Sequence, residues 1–335
     1  MIRQLNRLYW LAYGCVVYLL YLVARHLVGM EIDNAILAAL CIVFGVLFAG
    51  HAVFHAGGFA LSLSVRQLPQ VRDQKLPFQR AAEQGIRPLT PWGWFKAIWF
   101  ESCASFALIS WLQPWARHID RIELADKAWR QTKPLPVLLI HGYLCNAAVW
   151  SSTRQRLAKL GVSTSAITLE PAIGSIRAYS EMIAQAIDDL KAATGAPRVK
   201  IIAHSMGGVA LRYSVTEHGH ANIDSVLTIG SPHYGTALST LGVGKNVRQM
   251  AWASPFLKRL REHPADREFQ GKITSIWSGQ DNIVSPPCSS MLEFGQNLLI
   301  NGSGHLALIS HPIVTDWIEH WLVDAPVAYK QPVAG

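Results

Sequence analysis

Residues 200–203, Lys-Ile-Ile-Ala, run directly into His204-Ser205-Met206-Gly207-Gly208 and then into a segment of helical periodicity at 206–218. A short apolar run of this kind reads as a buried strand. A strand that hands over to a helix through a single serine describes a turn that few folds contain. Ala203 lies two residues before Ser205 and Gly207 two after it, so the neighbouring strand and helix can approach closely. The serine is left in strained backbone with its hydroxyl held above the sheet edge, and the helix N-terminus behind it favours negative charge.

The surrounding chain supports a sheet. Apolar runs at 137–140 (VLLI), 165–169 (SAITL), 225–229 (SVLTI), 273–277 (ITSIW) and 297–300 (NLLI) read as further buried strands. Between them, 175–194 and 206–218 carry helical periodicity, and 309–322 reads as a closing helix. Strand–helix alternation predicts an α/β fold, a mostly parallel sheet with helices on both faces. This unit spans 134–325, after the Lys133–Pro136 stretch, with a flexible tail at 326–335. Residues 235–270 lie between two strands and form a cap. Val247, Met250, Trp252, Phe256 and Leu257 make it apolar, which fits either a lid over an acyl pocket or a static helical insertion.

The first third of the chain differs. Of the 335 residues 50% are hydrophobic and only 16% charged, against about a quarter charged in an ordinary soluble domain. The apolar excess sits at 8–24 and 34–65, neither of which contains Asp, Glu, Lys or Arg. Two membrane-spanning helices in a hairpin over 1–66 are expected, in preference to a signal peptide over 1–28, since no clean cleavage site follows and a second long apolar run does. Arg3 and Arg7 precede the first span, Glu31 and Asp33 separate the two, and Arg66, Arg72, Lys75 and Arg80 follow. The excess of basic residues puts both ends, and the rest of the chain, on the cytoplasmic side of a bacterial inner membrane. The five cysteines, odd in number and without a CxxC pair, agree with a reducing compartment. Residues 67–133 form a linker. Its tryptophan-rich stretch 91–115 is either an in-plane interfacial segment or a helix packed on the next domain. His51 and His55 lie one helical turn apart and read as interfacial histidines, with no third ligand evident for a metal. The net charge of +8 is not gathered into clusters interleaved with aromatics, which disfavours a nucleic-acid module and leaves a lipid surface as the partner.

A serine hydroxyl needs a base, and the base needs an orienting acid. Downstream of Ser205, Asp281 follows the strand ITSIW in Ser278-Gly279-Gln280-Asp281, and His305 follows NLLI in Gly302-Ser303-Gly304-His305. Both sit just past strand ends. Asp224 precedes its strand, Asp266 falls in the cap and His311 adjoins the closing helix, so each is worse placed. Two backbone N–H groups are required for the oxyanion. Met206 supplies one, and the loop His141-Gly142-Tyr143 after VLLI supplies the other, at Tyr143. His141, Gly142, His204, His233 and Tyr234 are the expected substrate-binding residues around them.

Taken together, HGYLCN at 141–146, AHSMGG at 203–208, TIGSPHYGTALS at 228–239, SGQDNIVSP at 278–286 and GSGHLALISHP at 302–312 resemble the bacterial triacylglycerol lipases and esterases of the α/β-hydrolase superfamily. The motifs fall in that family's order over the last two hundred residues or so, with Ala203 where glycine is commoner. The resemblance implies hydrolysis of a carboxylic ester through an acyl-enzyme, with Ser205 as nucleophile, Asp281 as acid, His305 as base, and Tyr143 and Met206 as oxyanion donors. The acidic cluster of the family's calcium sites is not evident, so no metal or cofactor is expected. The same three residues would also serve acyl transfer to an alcohol or amine, and a catalytically silent membrane scaffold is the alternative outside enzymology.

Overall fold

The structure is a computed structural model, and it describes residues 2–72, 85–115, 119–125 and 134–322. The expected tail at 326–335, the boundary at Lys133 and the side chains of Arg3, Arg72, Lys75 and Arg80 lie outside the described residues.

Six strands form one fully parallel sheet: β1 (Val137–Ile140), β2 (Thr164–Ile167), β3 (Val199–His204), β4 (Ile223–Ile229), β5 (Ile273–Ser278) and β6 (Gln296–Ile300), in the order β2-β1-β3-β4-β5-β6. Each apolar run singled out in the sequence becomes a strand, because a parallel sheet covered on both faces has no polar side to interrupt the run. The alternation is visible within β1. Leu138 and Ile140 face one core with α5 (Tyr179–Thr194) and α6 (Met206–His218). Val137 and Leu139 face the other, with α4 (Ser151–Lys159) and α9 (Pro312–Leu322). All four are fully buried, each contributing roughly 1.5–3 kcal/mol of hydrophobic stabilisation. The closing helix starts at Pro312, later than the periodicity suggests, because Ala307–Ser310 forms a separate 3₁₀ turn.

Residues 236–270 hold a 3₁₀ turn, a short helix at Lys245–Gln249, α7 (Pro255–Glu262) and α8 (Pro264–Gln270). Met250, Phe256, Leu257, Leu260 and Phe269 join the core shared with α6 rather than lining an open cavity.

Ahead of the sheet lie α1 (Ile2–His26), α2 (Ile32–Val65) and α3 (Pro91–Phe106), the last continuing through a π-helical stretch to Trp115. Among the described residues, α2 is the one helix long and apolar enough by itself to cross a membrane. The apolar part of α1 runs from Trp10 to His26, short of the roughly 20 residues a span needs, because polar residues occupy its first two turns. Both α2 and α3 expose large apolar side chains. Toward its neighbours α2 buries a stripe of Ala35, Ala39, Val43, Leu47, His55, Phe59 and Ser62, while Val53 is 73% exposed. Helix α3 buries Ala97, Glu101, Ser102 and Ser105 and exposes Trp92, Phe95, Trp99 and Phe100. The helix packs its buried stripe inward while its aromatic face remains outward. The two helices join through Phe48–Trp99 (5.0 Å between ring centres), Phe59–Trp94 (5.6 Å) and a 2.7 Å hydrogen bond between His51 and Ser105. None of the five cysteines is in a disulfide.

Candidate active site

Ser205 occupies the junction of β3 and α6 with φ 54° and ψ −125°. A non-glycine residue in this region stores of order 1–3 kcal/mol, which the surrounding structure must offset. It does so from three sides. The Ser205 N–H donates to the Ile229 carbonyl of β4 at 2.9 Å, and the Ser205 carbonyl accepts from Gly208 N–H at 3.1 Å. A Cβ on Gly207 would stand 2.7 Å from the carbonyl oxygens of Ile140 and His141, and one on Gly208 would collide with Ser231. A Cβ on Gly142 would lie 2.7 Å from that of Ser205. Ala203, between Ile140 and Thr228 in the sheet, is fully buried with its methyl group accommodated.

Past the ends of β5 and β6, Asp281 and His305 meet. Asp281 Oδ2 is 2.8 Å from His305 Nδ1, and Oδ1 accepts the N–H groups of Ile283 and Val284 at 2.8 and 2.7 Å. Both side chains are buried. Burial alone would depress the imidazole, but the Asp281 charge, its hydrogen bond and the Glu101 charge outweigh it and hold His305 above the ordinary histidine value. The alternative carboxylates are engaged elsewhere. Asp224 pairs with Arg198 at 3.0 Å near the opposite end of the sheet, and Asp266 pairs with Arg212 at 2.6 Å. Among the described residues, Ser205 Oγ and His305 are not joined by a hydrogen bond, as is common before a substrate tightens such a site. Cys145, the thiol nearest in sequence to the Tyr143 loop, is buried and pushed up to about 12, so it offers no competing thiolate.

Two candidate N–H donors lie next in the chain to residues at the serine turn, Met206 after Ser205 and Tyr143 after Gly142. Met206 opens α6, where no intrahelical acceptor exists for its N–H. Tyr143 follows Gly142, and its hydroxyl donates to the Val243 carbonyl at 2.8 Å. Among the described residues, neither N–H is donated to a protein acceptor. The arrangement therefore presents a strained serine, a hydrogen-bonded acid–histidine pair and two available backbone donors within one set of sheet-end loops.

The expected substrate-binding residues divide. Gly142 lies against Ser205. His141 does not face a substrate: it is buried, its Nδ1–H donates to the Gly142 carbonyl at 2.7 Å, and its Nε2 accepts from Leu169 N–H at 2.8 Å. Burial lowers it to about 4, so it is a neutral brace between the β1 and β2 loops. His233 is also a correction. It is fully buried, accepts from Arg212 on Nδ1 at 3.2 Å and bonds Thr228 through Nε2 at 3.1 Å, because the Arg212–Asp266 pair needs a further acceptor inside the core. His204 packs its ring 4.7 Å from that of His305 and meets the His305 carbonyl at 3.3 Å through Nε2, supporting that histidine rather than a ligand. Tyr234 is buried beneath the Arg261 guanidinium, 4.4 Å from its ring.

Several residues behind the site escape sequence reasoning. Asn282 Oδ1 accepts the His305 N–H at 3.0 Å, which turns its amide nitrogen to donate to His55 Nδ1 of α2 at 3.1 Å. Ser62 of α2 donates to the Asp281 carbonyl at 2.8 Å and accepts from the Ser285 hydroxyl through its own carbonyl at 3.0 Å. Glu101 of α3 accepts from Leu306 and Ala307 N–H groups at 2.9 and 2.8 Å. One signal was present: an acid inside an aromatic helix, with Ser105 four residues on, marks a polar stripe that must find partners.

Fold and turn geometry together define an α/β-hydrolase-fold protein. Residues 136–263 match the model of a family described as palmitoyl protein thioesterase. A triacylglycerol lipase of Vibrio cholerae is 29% identical over 123 residues, which cover 35% of this chain and 38% of that lipase. The mature form of the Bacillus licheniformis lipase BlEst2 superimposes with a TM-score of 0.51 at 19% identity, over 61% of this chain and 96% of that one. Aspergillus fumigatus lipase B gives 0.51 at 18%, over 60% and 56%. The resemblance to bacterial lipases and esterases drawn from the motifs is thus shown for the sheet-bearing part of the chain.

Proposed function

We propose that the chain is a membrane-anchored serine carboxylic ester hydrolase, of the lipase and esterase kind, acting on lipid-like esters through an acyl-enzyme. His305 takes the Ser205 proton as Ser205 Oγ attacks the ester carbonyl. The Tyr143 and Met206 N–H groups receive the oxyanion. His305 then protonates the departing alcohol, and a water deprotonated by the same imidazole releases the acid. The observation that carries this reading is the left-handed Ser205 beside the 2.8 Å Asp281–His305 hydrogen bond, with two undonated N–H groups at the serine. Membrane attachment is supported by the apolar side chains that α2 exposes along its length and by the outward aromatic face of α3, an outer surface that lipid would cover favourably. The basic residues after α2 favour the inner membrane with the hydrolase on its cytoplasmic side.

A thioester substrate is a second reading, favoured by the family match over 136–263. A chain-length series of p-nitrophenyl esters, run beside palmitoyl-thioester on detergent-solubilised protein with Ser205→Ala as control, separates the two. Ester turnover lost in Ser205→Ala supports the proposal. Full activity in that variant sinks it, and turnover of the thioester alone selects the second reading.

A further inference from the structure

We propose that Glu101, from the helix that precedes the hydrolase core, is a positioning residue for His305, which makes the N-terminal helices part of the site. The inference rests on the Ser205–Asp281–His305 reading above. Glu101 is fully buried, and its two carboxylate oxygens each accept one N–H from the residues immediately after His305. The contact is close: a Cβ on Gly304 would collide with the carboxylate. From the other side Asn282 holds the His305 N–H, and Asn282 in turn is held by His55, whose Nδ1 lies 4.0 Å from Glu101. The loop bearing His305 is therefore clamped between α2 and α3, through polar contacts at three consecutive backbone N–H groups, 305, 306 and 307.

Each carboxylate oxygen meets one of those N–H groups, an arrangement that a neutral amide does not offer, and the charge it brings has a further consequence. A buried carboxylate is costly without compensation. Burial indeed raises Glu101 above the ordinary carboxylate range, against the pull of the two N–H donors and of His305. Among the described residues no Lys or Arg pairs with it, and its ion-pair neighbour within 4.0 Å is His55. The group nearby that becomes cationic during turnover is His305. A second carboxylate held at the residues on either side of His305 favours the imidazolium that forms as Ser205 attacks, in addition to the directly bonded Asp281. The titratable groups facing this histidine are Asp281 on the β5 loop, His204 at the end of β3 and Glu101 on α3, with His55 on α2 and Arg66 just beyond it one layer further out.

Glu101→Gln keeps the shape, removes the charge and turns one of the two acceptor oxygens into an NH2 donor facing an N–H, so the pH profile rather than kcat alone isolates the charge. In the full-length solubilised protein it should lower kcat roughly tenfold with KM nearly unchanged, as expected for a misplaced general base. It should also move the acid limb of the kcat/KM profile to lower pH by several tenths of a pH unit, because removing a negative charge makes His305 easier to deprotonate. A pure capping role would lower the melting temperature without moving that limb. A folded Glu101→Gln protein with the wild-type limb and kcat overturns the proposal. If that variant does not fold, Glu101→Asp carries the test: charge retained, its limb should stay in place while kcat falls, and a limb displaced to lower pH overturns the idea. Fluorophosphonate labelling of wild type separates this failure from that of the parent reading. A wild-type protein that never labels at Ser205 removes both, whereas one that labels normally leaves only Glu101 in question.

Discussion

In the proposed mechanism, removing the Ser205 hydroxyl deletes the attacking atom that the strained turn would present. Ser205→Ala should lower kcat by about 10⁴-fold or more while leaving the thermal melt unchanged, because alanine inherits the same φ of 54°. Asp281→Asn should cost roughly 10³-fold or more, since an amide in place of Oδ2 favours the wrong imidazole tautomer. His305 must be neutral to act as base. Its value is held above the ordinary 6.5, so activity is full at alkaline pH and falls as pH drops through a point above that figure; an acid limb of kcat/KM below 6.5 would contradict the geometry. At this scale the motifs carried most of the information. The placement of Ser205, Asp281 and His305 at strand ends was legible because each falls within a glycine-containing or turn-forming stretch, while the catalytic roles given to them belong to the proposed function. The roles of His141 and His233 were not legible, because a histidine in a loop motif gives no sign of whether its two nitrogens will be met by protein or by ligand.

Among the elements, α6 and the cap are tied by a bidentate Arg212–Asp266 pair at 2.8 and 2.6 Å, with Gln270 adding a third bond to Asp266 at 2.9 Å. Both partners are fully buried, so Asp266→Ala strands a guanidinium inside the core. A destabilisation of about 3–5 kcal/mol is expected in urea melts. The double variant Arg212→Met with Asp266→Leu should recover most of it, since the charge and its partner leave together. Gly142→Ala should instead spare the melt more than the rate. Its new methyl group would stand 2.7 Å from Ser205 Cβ, and the loop bearing the Tyr143 N–H must retreat. The strands were readable from sequence almost to the residue, because burial on both faces leaves an uninterrupted apolar run. The cap was not, because amphipathic helices of five to eight residues look alike whether they lie on a core or over an opening.

For the whole molecule, the N-terminal helices and the sheet form one structure through the site. Deleting residues 1–66 removes Ser62 from the Asp281 carbonyl and His55 from Asn282. The expected product retains the sheet but labels poorly with a fluorophosphonate probe, in contrast to a protein whose anchor is a mere tether. Extraction should require detergent, with resistance to alkaline carbonate; release by carbonate would argue that α2 lies on a surface rather than across it.

The local chemistry of this chain is written in its sequence. A parallel sheet follows from unbroken apolar runs, the serine turn from small residues at fixed offsets, and the proposed acid and base from their places after strands. All of these are short-range patterns, governed by backbone geometry within a few residues. Tertiary structure alone decided what stands behind the site. The contacts from Ser62 to Asp281 and from Glu101 to Leu306 join residues more than two hundred positions apart. Nothing in local periodicity encodes which polar stripe of an apolar helix meets which loop, because that pairing is set by how the helices pack.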